Sequence, residues 1–169
     1  MISALKKGMA LILTIVMVAS IASCKTTETP SVTFAFKSVD TASDYNESLT
    51  SFVIGKRFYT CIAIKLVTDK KKAEDYQVII RVPKTNEVEV KGMGGLEPTS
   101  KEWDEEKQET VMTFTVQGYK EATAEKILFY GTPTGEGEAT MSVHIFDKNG
   151  EEINAGYTRT VFFVYELQE

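Results

Sequence analysis

Apolar and polar residues alternate with period two along most of the chain. Val32-Thr33-Phe34-Ala35-Phe36 alternates, and Arg57 to Val67 extends the pattern with Phe58, Thr60, Ile62, Ile64 and Leu66 on one side. Tyr76 to Val82 turns Tyr76, Val78, Ile80 and Val82 inward, and Asn86 to Val90 gives a shorter piece after Pro83. Alternation of this kind, rich in branched and aromatic residues, predicts half-buried β-strands. Pro83 predicts a strand end or an edge, because proline has no N–H to give to a ladder. Thr110 to Gln117 places Met112, Phe114 and Val116 on one face, and Lys126 to Tyr130 is another short candidate. The two strongest patterns come last. Ala139 to Phe146 and Tyr157 to Tyr165 flank Asp147-Lys148-Asn149-Gly150, whose residues favour a turn and so an antiparallel return. No long stretch has apolar residues at helical spacing; Thr68 to Asp75 and Ser100 to Gln108 each have room for a short helical turn, the second with Ser100 as its cap.

About seven to eight short strands with turn signals between them predict an all-β fold, a single antiparallel sandwich over residues 32–169. The composition agrees. A chain of 169 residues with 43% hydrophobic and 25% charged residues fits one globular domain with a processed end, and excludes wholesale disorder, a collagen-like repeat or a disulfide scaffold. A net charge of −5 argues against nucleic acid as a partner, since that needs a basic face.

The first residues break the strand pattern. Lys6 and Lys7 precede an uncharged apolar run of 14 positions from Gly8 to Ile21, followed by Ala22, Ser23 and Cys24. That is the layout of a signal peptide, and the run is shorter than the roughly 18 to 20 residues that cross a bilayer. The Ile21-Ala22-Ser23-Cys24 tetrad resembles the lipobox of bacterial lipoproteins. The resemblance implies cleavage of residues 1–23, with Ile21, Ala22 and Ser23 recognised by the peptidase, and a lipid such as palmitate and diacylglycerol carried on Cys24. Simple secretion is the alternative. Residues 24–31 would be the lipidated cysteine and a tether spanning at most roughly 25 Å. Loss of residues 1–23 leaves 146 residues and moves the side-chain charge from −5 to −7. An acidic body is repelled by anionic headgroups, so the lipid must supply the membrane attachment. Lys25 is not the aspartate linked to inner-membrane retention, which favours the outer membrane and leaves its periplasmic and surface faces open.

Two further resemblances concern the body. Gly137 to Gly150 resembles the penultimate strand and turn of immunoglobulin-like and PKD-like modules, and Asn154-Ala155-Gly156-Tyr157 faintly resembles a tyrosine corner. Tyr76 to Arg81, Leu128 to Thr132, Thr140, Val143, Asp147 and Gly150 are similar to the strands of TraQ-type lipoproteins of Bacteroidetes conjugative transposons. That second resemblance implies an accessory envelope component of DNA transfer.

Candidate chemistry is sparse. His144 is the only histidine, which excludes a two-histidine zinc site; strand parity puts it on the surface beside Thr140 and Ser142, with no catalytic partner in view. Gly92-Met93-Gly94-Gly95 lacks a phosphate-binding lysine and a following helix, so it reads as a loop. Asp147-Lys148-Asn149-Gly150 starts like a calcium loop, but the glycine falls at the wrong position. With Cys24 lipidated, Cys61 has no disulfide partner and is expected as a buried, inert thiol. Glu102, Asp104, Glu105, Glu106 and Glu109 surround Trp103, the only tryptophan, which is either packed down or presented to a partner.

These features predict no catalytic residue, no metal and no cofactor beyond the lipid on Cys24. The expected function is a lipid-anchored, non-enzymatic cell-envelope binding or assembly module with a protein or glycan partner near the membrane. A surface adhesin or glycan-binding lipoprotein using Trp103 and Tyr119 is the alternative.

Overall fold

A computed structural model describes residues 30–39, 44–69, 72–90, 96–154 and 156–166. Among them are ten strands: β1 (Ser31–Ser38), β2 (Ser51–Val53), β3 (Phe58–Lys65), β4 (Glu74–Pro83), β5 (Thr85–Val90), β6 (Ser100–Asp104), β7 (Glu109–Gly118), β8 (Glu125–Pro133), β9 (Gly137–Phe146) and β10 (Tyr157–Val164). They form two sheets, one of order β1-β3-β8-β5 and one of order β2-β10-β9-β4-β7-β6. The protein is an all-β sandwich.

Alternation explains the layers. Phe58, Thr60, Ile62 and Ile64 of β3 are buried while the residues between them are not, and Met112, Phe114 and Val116 do the same on β7. The inward faces of both sheets meet in one core, in which Phe36, Phe114 and Phe163 have no exposed surface. Burying each such side chain contributes roughly 1.5–3 kcal/mol. At one end of the core Phe52 packs against Phe58 with ring centroids 4.8 Å apart and against Phe36 at 5.5 Å, tying the three-residue β2 to both sheets.

The structure departs from the sequence reading in its short elements. Ser100 caps no helix: residues 100–104 form β6, paired with β7 from Ser100↔Thr113 to Asp104↔Glu109. Residues 68–69 and 72–73 are irregular and 74–75 already belong to β4, so none of the described residues of this stretch is helical. Strand β2, which the pattern did not reveal, runs parallel to β10, so the six-stranded sheet is mixed. Pro83 ends β4 without marking an edge, since β4 lies between β9 and β7. One residue later the chain has changed sheets, with Lys84 in the left-handed region at φ 53°. Tyr157 makes no tyrosine corner: its hydroxyl donates to the carbonyl of Pro30, far away in sequence.

Candidate functional site

A sandwich has two long sides where the edge strands of its sheets face each other, and here the sides differ. On one, β5 faces β6 and the start of β7. The Thr110 hydroxyl donates to the carbonyl of Thr85 at 2.9 Å with both residues buried. Lys101 Nζ donates to the carbonyl of Val88 at 2.9 Å. These bonds cross from one sheet to the other and close the seam. A shallow groove of about 150 Å³ is left beside it, lined by Asn86, Glu87, Val88, Lys101, Glu102, Trp103 and Thr110. Trp103 lies opposite Thr110 and is half-buried, between the two states the sequence allowed.

The opposite seam, between β1 and β10, is open. Phe36 exchanges both backbone bonds with Asn46, at 3.0 and 2.8 Å, so its amide and carbonyl point away from β3. Alternation along the strand puts those of Val32 and Phe34 on the same edge. On β10 the Phe162 amide donates to Thr50 at 2.7 Å and the Val164 carbonyl accepts from Ile54 at 2.9 Å, both away from β9. The same alternation points the backbone groups of Thr158 and Thr160 outward. No strand among the described residues pairs with this half of either edge, because β2 reaches only Phe162 to Val164. A groove of about 300 Å³ runs along the seam, lined by Val32, Thr33, Phe34, Glu47, Tyr157, Thr158 and Arg159.

Arg159 lies on the same side of β10 as the buried Val161 and Phe163, so it points between the sheets. Its Nη2 donates to the carbonyl of Glu47. Its Nε is buried and has no hydrogen-bond partner, and no carboxylate among the described residues forms an ion pair with it. Among the described residues, such a guanidinium is a charge with few of its donors satisfied.

The remaining candidates are structural or stand apart. Tyr119 follows β7 and its backbone bonds Leu66 and Ala122; Trp103 pairs at the other end of that strand. Nine residues of extended chain, about 30 Å, separate the two, so the fold does not bring them together. Asp104 accepts from the amides of Glu106 at 3.1 Å and Lys107 at 3.0 Å, and Glu109 accepts from Arg81 at 2.6 Å, so part of the acidic cluster holds the β6–β7 turn. Asp147 is a turn residue: Oδ1 accepts from the amides of Asn149 at 2.8 Å and Glu151 at 3.0 Å. The Glu151 and Asn149 bonds hold its carboxyl below the usual carboxylate range.

Two expectations fail. Cys61 is not buried but half-buried on the outer face of the four-stranded sheet, because its parity is opposite to Thr60 and Ile62. Burial still pushes its thiol up, with Lys126 partly opposing. His144 does have partners: Nδ1 lies 2.7 Å from Glu152 Oε1 and Nε2 lies 3.1 Å from Ser142 Oγ. Ser142 was legible at i−2 on the same strand face, whereas Glu152 arrives only through the loop that precedes β10. The order Ser-His-Glu is that of a hydrolytic triad. Ser142 itself sits where β9 is paired on both sides, opposite Arg81 of β4 and Thr158 of β10. The arrangement ties the loop to the sheet.

Cys24, Ile21, Ala22, Ser23 and the Gly92 to Gly95 loop lie outside the described residues. Among the described residues no cluster of His, Cys, Asp and Glu could hold a metal ion.

No family model matches the chain, and no curated protein matches it in sequence. Similar solved structures include a cohesin module from a Clostridium perfringens family 33 glycoside hydrolase, with TM-score 0.48, 10% identity and coverage of 80% of this chain and 98% of that one. The CARDB domain of a Pyrococcus furiosus protein gives 0.47 at 15% identity, covering 81% and 90%. A Nocardia farcinica protein with an immunoglobulin-like fold gives 0.43 at 12% identity, covering 66% and 91%. At this level the likeness carries no functional inference.

Proposed function

We propose that this protein is a lipid-anchored, non-enzymatic module of the bacterial cell envelope that binds or assembles with a protein partner close to the membrane. The observation that carries the reading is the Ile21-Ala22-Ser23-Cys24 tetrad at the end of a 14-residue apolar run. The thiol of Cys24 is the nucleophile that a lipid transfer requires, and small residues before it admit a peptidase to the backbone. More than one acyl chain makes such attachment effectively permanent, since each buried methylene contributes about 0.8 kcal/mol. Strand β1 begins at Ser31, so the tether is short and the partner must be near the bilayer. The outer membrane is the compartment this reading favours. The non-enzymatic part rests on the side chains already described: the one histidine and much of the acidic cluster are engaged in bonds that hold loops.

Radiolabelled palmitate tests the anchor. Label should enter the wild-type chain and be absent from Cys24→Ala; an unlabelled wild type, or equal labelling of both, overturns the reading. The resemblance to TraQ-type lipoproteins narrows the role to an accessory of conjugative transfer. Deletion of the gene should then lower transfer frequency, and unchanged transfer would remove that narrower role.

A further inference from the structure

We propose that the open β1/β10 seam is the docking site for an extended segment of a partner protein that carries an aspartate or glutamate on its inward face. The inference names the surface for the binding role proposed above and rests on it. Three observations meet there. Thr158 and Thr160 turn their backbone N–H and C=O groups outward along β10, and Val32 and Phe34 do so along β1. Unpaired edges of this kind are templates for another strand, and main-chain bonds supply its affinity. The groove between them has a volume of about 300 Å³.

Strand β2 shows how the edge is used. It pairs with β10 in parallel from Ser51↔Phe162 to Val53↔Val164. Upstream the chain leaves that edge, and Asn46 bonds Phe36 of the other sheet instead. Among the described residues, no strand pairs with the edge at Thr158 and Thr160, which leaves it for a strand from elsewhere. Its bonds would go to those two residues, and the side chain opposite Arg159 would point inward with it.

Arg159 decides the chemistry of the occupant. The guanidinium has one carbonyl partner and a buried, unpartnered Nε. A carboxylate on the incoming strand would give it an ion pair beside the buried Nε, and charge-assisted bonds are the stronger kind. Glu47 also lines the groove, but its side chain is exposed and its backbone carbonyl is the group that Arg159 uses. A second copy of the same chain pairing through β10 about its midpoint at Arg159 would set Arg159 against Arg159, and neighbouring registers would still bring the two guanidinium groups close on one face, where like charges are destabilising. The occupant is therefore an acidic strand of a different protein.

The probe is an acetylated, amidated peptide Thr-Val-Thr-Glu-Thr-Val-Thr, titrated into the isotope-labelled full chain in detergent while amide exchange is followed by NMR. Slowed exchange at Thr158 and Thr160, saturating at about 1 mM or below, is expected. Replacing the peptide glutamate by glutamine, or making Arg159→Gln in the protein, should weaken binding at least about tenfold. The peptide variant carries the test should Arg159→Gln fail to fold. Absence of protection up to about 5 mM overturns the proposal. So does equal binding of the glutamate and glutamine peptides, which would leave Arg159 as a charge that merely guards the edge. Protection confined to the Trp103 groove would move the site, and protection without peptide in a sedimenting dimer would make the occupant a second copy; either result overturns it. None of these outcomes alters palmitate labelling, so failure of this inference is distinct from failure of the anchor.

Discussion

The two long sides of the sandwich are built from the same materials and end differently. At the β5/β6 side, Thr110 and Lys101 each send a hydrogen bond across to a carbonyl, both at 2.9 Å. At the β1/β10 side, the crossing bonds come from the ends of two long side chains, Tyr157 to Pro30 and Arg159 to Glu47, and among the described residues no strand pairs with the backbone edges at Val32, Phe34, Thr158 and Thr160. The difference teaches that a sandwich need not be sealed evenly. Stability is concentrated where buried polar groups are satisfied, while the side with a charge pointing inward has surface to offer.

The comparison can be broken most directly at Gly131 of β8, beside the closed seam. A Cβ there would meet Thr85 Cγ2 at 2.4 Å and Val88 Cγ2 at 3.4 Å. Gly131→Ala should lower stability by about 2 kcal/mol in urea unfolding, because β5 must move off β8. A neutral result would mean that β5 is not held tightly and that both sides are loose. A smaller loss is expected from Thr110→Val, which keeps the shape and leaves the buried carbonyl of Thr85 without that donor. The expected cost is about 1–2 kcal/mol.

At the open side the expectation reverses. Arg159→Met removes a charge that has no carboxylate partner among the described residues, and stability should stay within about 0.5 kcal/mol or rise. A loss above about 2 kcal/mol would show that Arg159 closes its seam as firmly as Thr110 closes the other.

The smallest effect concerns the turn that leads into β10. The Asp147 carboxyl accepts from Glu151 and Asn149, and its pKa lies below the ordinary value. A carboxyl shifted in that direction contributes stability above its unfolded pKa, and the contribution is lost as pH falls through the folded pKa. NMR titration of Asp147 should give a midpoint below about 3.9. A midpoint at or above that value would remove the turn as a device that positions β10.

How much was legible differs by element. The long strands were readable because burial on one face imposes period two: Phe58 to Leu66, Tyr76 to Val82 and Ala139 to Phe146 all carry it. Strands β2 and β6 were not. Ser51-Phe52-Val53 is too short to show a period, and in Ser100-Lys101-Glu102-Trp103-Asp104 the inward positions are held by Lys101 and Trp103, so the edge strand looks polar. His144 was read as surface and is half-buried on that face, but its bond to Glu152 depends on a loop whose path no local pattern reveals.

The candidate site was the least legible part. Trp103 and Tyr119 drew notice as aromatics, yet β7 holds them apart. Arg159 drew none, because an arginine in a strand is ordinary until its parity is compared with Val161 and Phe163. Its significance lies in which edge faces which.

By itself the sequence determined the layer structure, and the proposed lipid anchor rests on it alone. Alternation follows from burying one face of a strand, and a targeting tetrad is read locally by residue type. Tertiary structure alone decided that the chain changes sheets at Lys84, that one seam is sealed and the other open, and that Arg159 lacks a carboxylate partner among the described residues. Those outcomes depend on pairings between residues far apart in sequence, such as Tyr157 with Pro30, and no local periodicity records them.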